Sequence, residues 1–299
     1  MREQDVSVSS YSGKVGCVTV DEGFILVRSE GQTFVTGNCS LEPCVFSHIS
    51  NEDSLREIFR LGHDFYSTIA IATEGLDQYS ADKKAENYLG KMDKLKRQSA
   101  KAYSLGIPYG MTGYALAMSL DIAAKDGDAL VKKYLSAYPS LDRWMKETKK
   151  FVQQNGYIRS EVGRVRHLPA VKKLYKEFKD NLLDWRFRKK LESDFDRDLI
   201  TEMYRDYKNG VNNSRNFQVQ SLAASIVNRS AIAVTRKFKE LGINAWCCAQ
   251  IHDQLIFNVP VDQKDQCAEI IQHLMENTLK ISVDLDAPPS MATNWRDGH

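Results

Sequence analysis

The chain has no apolar run long enough to cross a bilayer and no secretory leader, so it reads as a protein of a reducing cytoplasm. Its six cysteines, at 17, 39, 44, 247, 248 and 267, include no pair at zinc-ligand spacing, and in that compartment their thiols stay free for chemistry. Neither sign of charge dominates. With 41 Lys+Arg against 39 Asp+Glu the net charge is +2, so composition does not announce a nucleic-acid binder and any basic surface must be local. Internal repeats and low-complexity linkers are absent as well. What is there, 299 residues with 42% hydrophobic and 27% charged, suffices for two domains and a real core.

Turn chemistry at Asp21-Glu22-Gly23 and Glu30-Gly31-Gln32 separates three short strands, 14–20, 24–28 and 33–36, which predict a small β unit. From Ser54 the period changes. Leu55, Ile58 and Phe59, then Phe65, Ile69 and Ala70, then 116–120 and 130–135 recur at three or four residues, and helices are expected. A long stripe from Val219 to Leu241, closed by Gly242, predicts a helix packed beneath a sheet. Two strand-like runs, 246–251 and 254–259, meet at His252-Asp253, and 263–279 reads as a last helix. Residues 172–208 interleave eleven cations with nine anions, a pattern that favours a salt-bridged helical insertion over a nucleic-acid patch.

Three groups of residues carry chemistry. Arg97, Lys101, Leu105 and Tyr109 fall at roughly 0, 40, 80 and 120° around a helix axis, which would put two cations and an aromatic ring on one side. Such a face can hold a triphosphate and a base, although two cations alone more often make a solvated basic helix. Asp253 would be displayed at a β-bend; a lone Asp there is commonly a turn former, but it is also a hard oxygen ligand for a divalent cation. Asn216 and Gln220, four apart, can present amides to the acceptors of the minor groove or simply surface a helix.

The order of these groups resembles family A DNA polymerases. The segment from Arg97 through Lys101 to Tyr109-Gly110 resembles the family's fingers helix, and 251–257 its palm hairpin. Residues 216–220 resemble its minor-groove helix, and Ser40-Leu41-Glu42-Pro43 the tail of its first carboxylate motif. The likeness covers 39–299. It implies an α+β right-hand fold with mostly helical fingers and an antiparallel-sheet palm, primer-template DNA and deoxynucleoside triphosphates as partners, and two Mg2+ ions in the completed site. Asp253 would be a metal ligand, with His252 near the primer end. Arg97 and Lys101 would neutralise the triphosphate, Lys101 also protonating the departing pyrophosphate. Tyr109 would stack at the nascent pair, Leu105 would lie against the sugar, and Glu42 would fill the space of a ribose 2′-hydroxyl. Asn216, Gln220 and the nearby Arg215 would contact DNA. Relatives commonly carry Glu where Gln254 stands, an aromatic at Leu105 and arginine at Asn212.

That first motif would begin with an Asp where the chain has Gly37, so half the metal site is missing. Residues 11–39, ending Val35-Thr36-Gly37-Asn38-Cys39, resemble the C-terminal piece of a split intein. The resemblance implies that Asn38 closes a succinimide after Cys39 has captured an upstream segment as a thioester. Cys17 either helps the last steps or, with Thr36, resembles a variant class in which an internal cysteine starts the acyl shift. Met1, roughly 35 residues before the junction, suits a separately encoded piece.

The expected domains are therefore 1–38, a splicing element, and 39–299, fingers and palm. A partner chain would carry the N-terminal polymerase half, its first Asp and the intein N-fragment, as in a phage protein in a bacterial host. The rival readings are an inert nucleic-acid-binding fragment of the same fold and, disfavoured by Glu42, a piece of a single-subunit RNA polymerase.

Overall fold

The computed structural model describes residues 41–292 in full and, upstream, the backbone of 24–29 and 32–37. The chain divides into a small unit, Met1–Cys39 with Ser290–His299, and a large unit, Ser40–Pro289. In the small unit β1 (Phe24–Ser29) pairs antiparallel with β2 (Gln32–Gly37), with Phe24 opposite Gly37, Ile25 opposite Thr36 and Ser29 opposite Gln32. These are two of the three expected strands. The third, at 14–20, and the splicing candidates Cys17, Asn38 and Cys39 lie outside the described residues.

The large unit opens with α1 (Leu41–Ile49), α2 (Asp53–Arg60), α3 (Phe65–Glu74) and the short α4 (Leu89–Met92). It continues through α5 (Lys94–Gly106), α6 (Gly113–Leu120), α7 (Ala124–Ala137) and α8 (Pro139–Asn155). A hairpin of β3 (Tyr157–Arg159) and β4 (Val165–His167) leads to α9 (Pro169–Phe178), a 3-10 turn at Lys179–Leu183 and α10 (Trp185–Leu191). Then come α11 (Arg197–Glu240), the hairpin β5 (Trp246–Ile251) and β6 (Gln254–Asn258), and α12 (Lys264–Asn277). The helices start where the sequence supplies caps. Asp64, Asp93 and Asp196 accept backbone N–H bonds at the heads of α3, α5 and α11, while Pro139 and Pro169 occupy the first turns of α8 and α9. Gly242, at φ 67°, follows the end of α11 as its stop signal predicted.

At 44 residues α11 is about 66 Å long, and all three apolar cores lie along it. Its middle, Val219, Leu222 and Ile226, packs with Val45 and Phe46 of α1, Ile69 of α3, Tyr103 of α5 and Leu141 of α8. Its first turns, Ile200, Tyr207 and Val211, close a separate core with Val171, Leu174 and Phe178 of α9. Its last turns, Val234 and Phe238, pack on Cys267 of α12 and Phe257 of β6, the two phenylalanine rings edge to face at 5.8 Å. Each such fully buried large side chain contributes about 1.5–3 kcal/mol against leaving it in water.

The sheet expected beside α11 is present as one antiparallel hairpin, β5–β6, among the described residues. One expectation needs correction. Residues 172–208 are helical but not salt-bridged to one another: among the described residues the one ion pair of this segment joins Asp180 to Lys149 outside it. Sequence interleaving put opposite charges near each other in the chain, yet even Lys173 and Glu177, four apart on α9, form no ion pair. Among the described residues no helix is long and apolar enough to cross a membrane.

Candidate active site

Strands β5 and β6 pair to the very bend, with Ile251 opposite Gln254, so His252 and Asp253 form a two-residue loop. His252 takes φ 53°, a left-handed conformation that a primed hairpin turn demands and that most side chains resist. A register shift between Cys247 and Ala249 twists β5 just before it. Asp253 is thereby held where its Oδ2 accepts the Leu41 N–H at 3.0 Å, at the head of α1 and 212 residues away in sequence.

Glu42, the next residue of α1, accepts a 2.6 Å hydrogen bond from the Tyr109 hydroxyl, whose ring packs on Phe46 at 5.0 Å. Asp253, Leu41, Glu42 and Tyr109 are thus joined in one cluster. Tyr109 reaches it by a route the sequence did not indicate. Helix α5 stops at Gly106, and Tyr109 stands beyond it in a turn completed by Gly110 at φ 95°. A Cβ on Gly110 would lie 2.1 Å from Asn212 Oδ1 of α11, so any other residue must displace the Asn212 side chain as well as hold the positive φ.

Along α5 itself, Arg97 makes a paired contact with Asp64, Nε to Oδ1 at 2.9 Å and Nη2 to Oδ2 at 2.8 Å. Asp64 also caps α3 by accepting from Ser67 N–H. Burial alone would raise the Asp64 carboxyl, but hydrogen bonds from Arg97 and Ser67 overcome it and hold the group below the usual carboxylate range. The same bond to Asp64 pushes Arg97 up. Both cations of α5 face one ring, Arg97 at 5.4 Å and Lys101 Nζ at 5.9 Å from the centre of Tyr66. Burial, and then the Arg97 charge, lower the Lys101 ammonium, which makes it a readier proton donor than a free lysine. Leu105, half-buried, packs against the main core.

On α11, Gln220 is exposed, and Asn216 is half-buried with its Oδ1 unpartnered, a cost of about 1–3 kcal/mol that a ligand donor would relieve. Arg215 is placed differently from its expected role on DNA. It is buried, donates through Nη2 to the Met145 carbonyl of α8, and burial lowers it to about 10 although the Asp142 charge raises it. The residues that sequence reasoning missed are Asp64 and Tyr66; an Asp three residues before Ser67 is the available signal for a cap, but the pairing of Asp64 with Arg97, 33 residues on, has no local signal.

The donors around Asp253 do not by themselves fit a two-ion centre. Among the described residues no group of three or more His, Cys, Asp or Glu side chains gathers to hold a metal ion. The carboxylate at the β5–β6 bend has instead the backbone N–H of Leu41 on one oxygen.

A sequence profile of DNA polymerase family A matches residues 23–297, beginning upstream of Cys39. The chain is similar to the thermostable DNA polymerase I of Thermus filiformis, 24% identical over 270 residues that make up 90% of this chain and 28% of that protein. With DNA polymerase I of Caldicellulosiruptor bescii it shares 27% identity over 283 residues, 93% of this chain and 29% of the relative. Among solved structures, the POL domain of Pol1 from M. smegmatis in complex with DNA primer-template and dNTP shares its fold, with a TM-score of 0.64 at 21% identity over 83% of this chain and 37% of that one. The chain spans little more than a quarter of the length of the relatives it matches, 28% and 29% for these two.

Proposed function

The chain belongs to DNA polymerase family A, and from that premise we propose that it is the C-terminal portion of a DNA-directed DNA polymerase, completed by a partner chain spliced on at Cys39. The observation that carries this reading is the Leu41 N–H bond to Asp253 Oδ2. It brings the start of α1 to the acid of the hairpin, four residues after Gly37 occupies the place of the family's first Asp. A partner whose polymerase segment carries that Asp second from the junction would deliver a second carboxylate toward the first. The Mg2+ requirement of the family then belongs to the joined enzyme, with Asp253 and the supplied acid as ligands.

In that enzyme Arg97 and Lys101 bind the triphosphate, and Lys101 is the proton donor to the leaving pyrophosphate, a role its lowered ammonium favours. Tyr109 stacks at the new base pair and holds Glu42 against the sugar position, which selects deoxyribonucleotides. Leu105 lines the sugar side, and His252 flanks the primer end. Asn216 and Gln220 read the minor groove of primer-template DNA. Arg215 steadies the helix that carries them rather than touching DNA.

Splicing is proposed to run through Asn38 and Cys39, with Cys17 and Thr36 assisting, in a phage-type protein of a bacterial cytoplasm. Mixing the chain with a partner that carries an intein N-fragment, and weighing the products, tests it. Loss of residues 1–38 with a new peptide bond at Cys39 is the expected result; an intact chain that extends primers unaided at full rate overturns it. A second reading draws on the family match starting at residue 23. It assigns β1 and β2 to the polymerase body and leaves Asn38-Cys39 incidental, and it predicts that no partner removes residues 1–38.

A further inference from the structure

The segment containing α9 and α10 has no part in the active-site reading, yet its charges are strongly segregated along the chain. Residues 159–190 hold eleven Lys and Arg against four Asp and Glu, whereas 192–206 hold two against six. Three of those four acids are engaged by the fold. Glu161 pairs with His48 at 2.8 Å, Asp180 is held by Lys149, Gln153 and Tyr207, and Asp184 caps α10 through the Arg186 N–H.

The cations are not so engaged. Some cations elsewhere pair with acids one turn along their helix, as Arg60 does with Glu57, Lys146 with Asp142 and Lys237 with Glu240. On α9, Lys172, Lys173 and Lys176 fall within an arc of about 100°, opposite the buried Val171, Leu174 and Phe178. On α10, Trp185, Arg186, Lys189 and Lys190 are exposed within an arc of about 140°, and Leu191 is buried on the far side. Among the described residues none of these six cations makes an ion pair. Trp185 is 62% exposed, with the Arg186 guanidinium 5.8 Å from the centre of its ring.

Unpaired cations around a bare indole match the chemistry of a single strand, whose phosphates need positive charge and whose bases need a flat ring. We propose that the outer faces of α9 and α10 form a second nucleic-acid surface that holds single-stranded DNA, with phosphates on the lysines and Arg186 and a base stacked on Trp185. Only the choice of DNA over RNA rests on the proposed function.

The test uses the full unspliced chain and oligo(dT). Titration quenches tryptophan emission, and Trp185→Phe abolishes that quench. Replacing Arg186, Lys189 and Lys190 by alanine weakens binding by about tenfold or more at low salt and reduces the slope of log K against log salt by about two, at roughly 0.7 per phosphate contact on a single strand. Lys172, Lys173 and Lys176, changed together to alanine, give the same direction should the first set melt early. Unchanged affinity and slope in both sets, a quench that survives Trp185→Phe, or equal binding of polyglutamate overturns the proposal. None of these measurements needs a partner chain, so a failed splicing experiment and a failed strand-binding experiment are told apart.

Discussion

The Tyr109 hydroxyl and Glu42 Oε2 meet at 2.6 Å across 67 residues of sequence, tying the turn after α5 to the first turn of α1. Because the ring rests on Phe46, Tyr109→Phe removes the bond and leaves the packing. Its expected cost is about 1.5–3 kcal/mol, the range for a hydrogen bond to a charged group, read as a shift in urea midpoint. In the joined polymerase the untethered Glu42 discriminates less, and ribonucleotide incorporation rises relative to deoxyribonucleotide. A variant that unfolds with the parent and selects sugars as sharply would show that the bond does neither job.

Asp64 serves two masters, the guanidinium of Arg97 and the N-terminus of α3, and substitutions separate them. Asp64→Asn keeps a good cap and loses the ion pair; Asp64→Ala loses both and is expected to be about 1 kcal/mol worse, the usual worth of a cap. The pH dependence has a definite sign. Since the folded carboxyl titrates below its unfolded value of about 4, its stabilisation is complete above that pH and disappears as pH falls through the folded value. Melting temperature measured from pH 5 down to pH 2 should therefore drop less steeply for Asp64→Asn than for the parent.

The local parts of this architecture were readable in the chain, and the parts set by distant contacts were not. The hairpin around Asp253 followed from two apolar runs and a turn, and Gly242 marked the end of α11, because strand pairing at a tight bend and helix termination depend on neighbours in sequence. Tyr109 was extrapolated along a helix that in fact ends three residues earlier; Gly110 was the warning, and its meaning lay in Asn212, a hundred residues on. Arg215 looked like a surface cation until α8 covered it. The interleaved charges of 172–208 suggested ion pairs, but exposed side chains that water solvates need not close on each other even at helical spacing, as with Lys173 and Glu177.

Gly110 offers a sharper check on how the turn is built. Gly110→Ala must place a Cβ against Asn212 Oδ1 and hold alanine at φ 95°, and is expected to lose about 1–3 kcal/mol. Asn212→Gly removes the obstructing side chain, so the double variant should be more stable than the sum of the two single losses allows, while the backbone strain persists. Strict additivity in the double-mutant cycle would mean that α11 and the turn do not touch as described.

Asp253 is the residue on which the functional reading stands, and a substitution can remove its charge while sparing its structural bond. In Asp253→Asn the side-chain carbonyl can still accept the Leu41 N–H, so the hairpin keeps its anchor and the melting temperature should move by no more than a degree or two. An amide is a far poorer ligand for a divalent cation than a carboxylate, and it cannot balance the charge gathered at a nucleotidyl-transfer site. In the joined enzyme nucleotide incorporation is therefore expected to fall by about a thousandfold or more, while affinity for primer-template DNA, set by groove and phosphate contacts, stays within about twofold. Single-turnover incorporation and filter binding on the same preparation measure the two separately. Retained incorporation would remove Asp253 from the chemistry, and lost DNA binding would make it a structural residue of the groove.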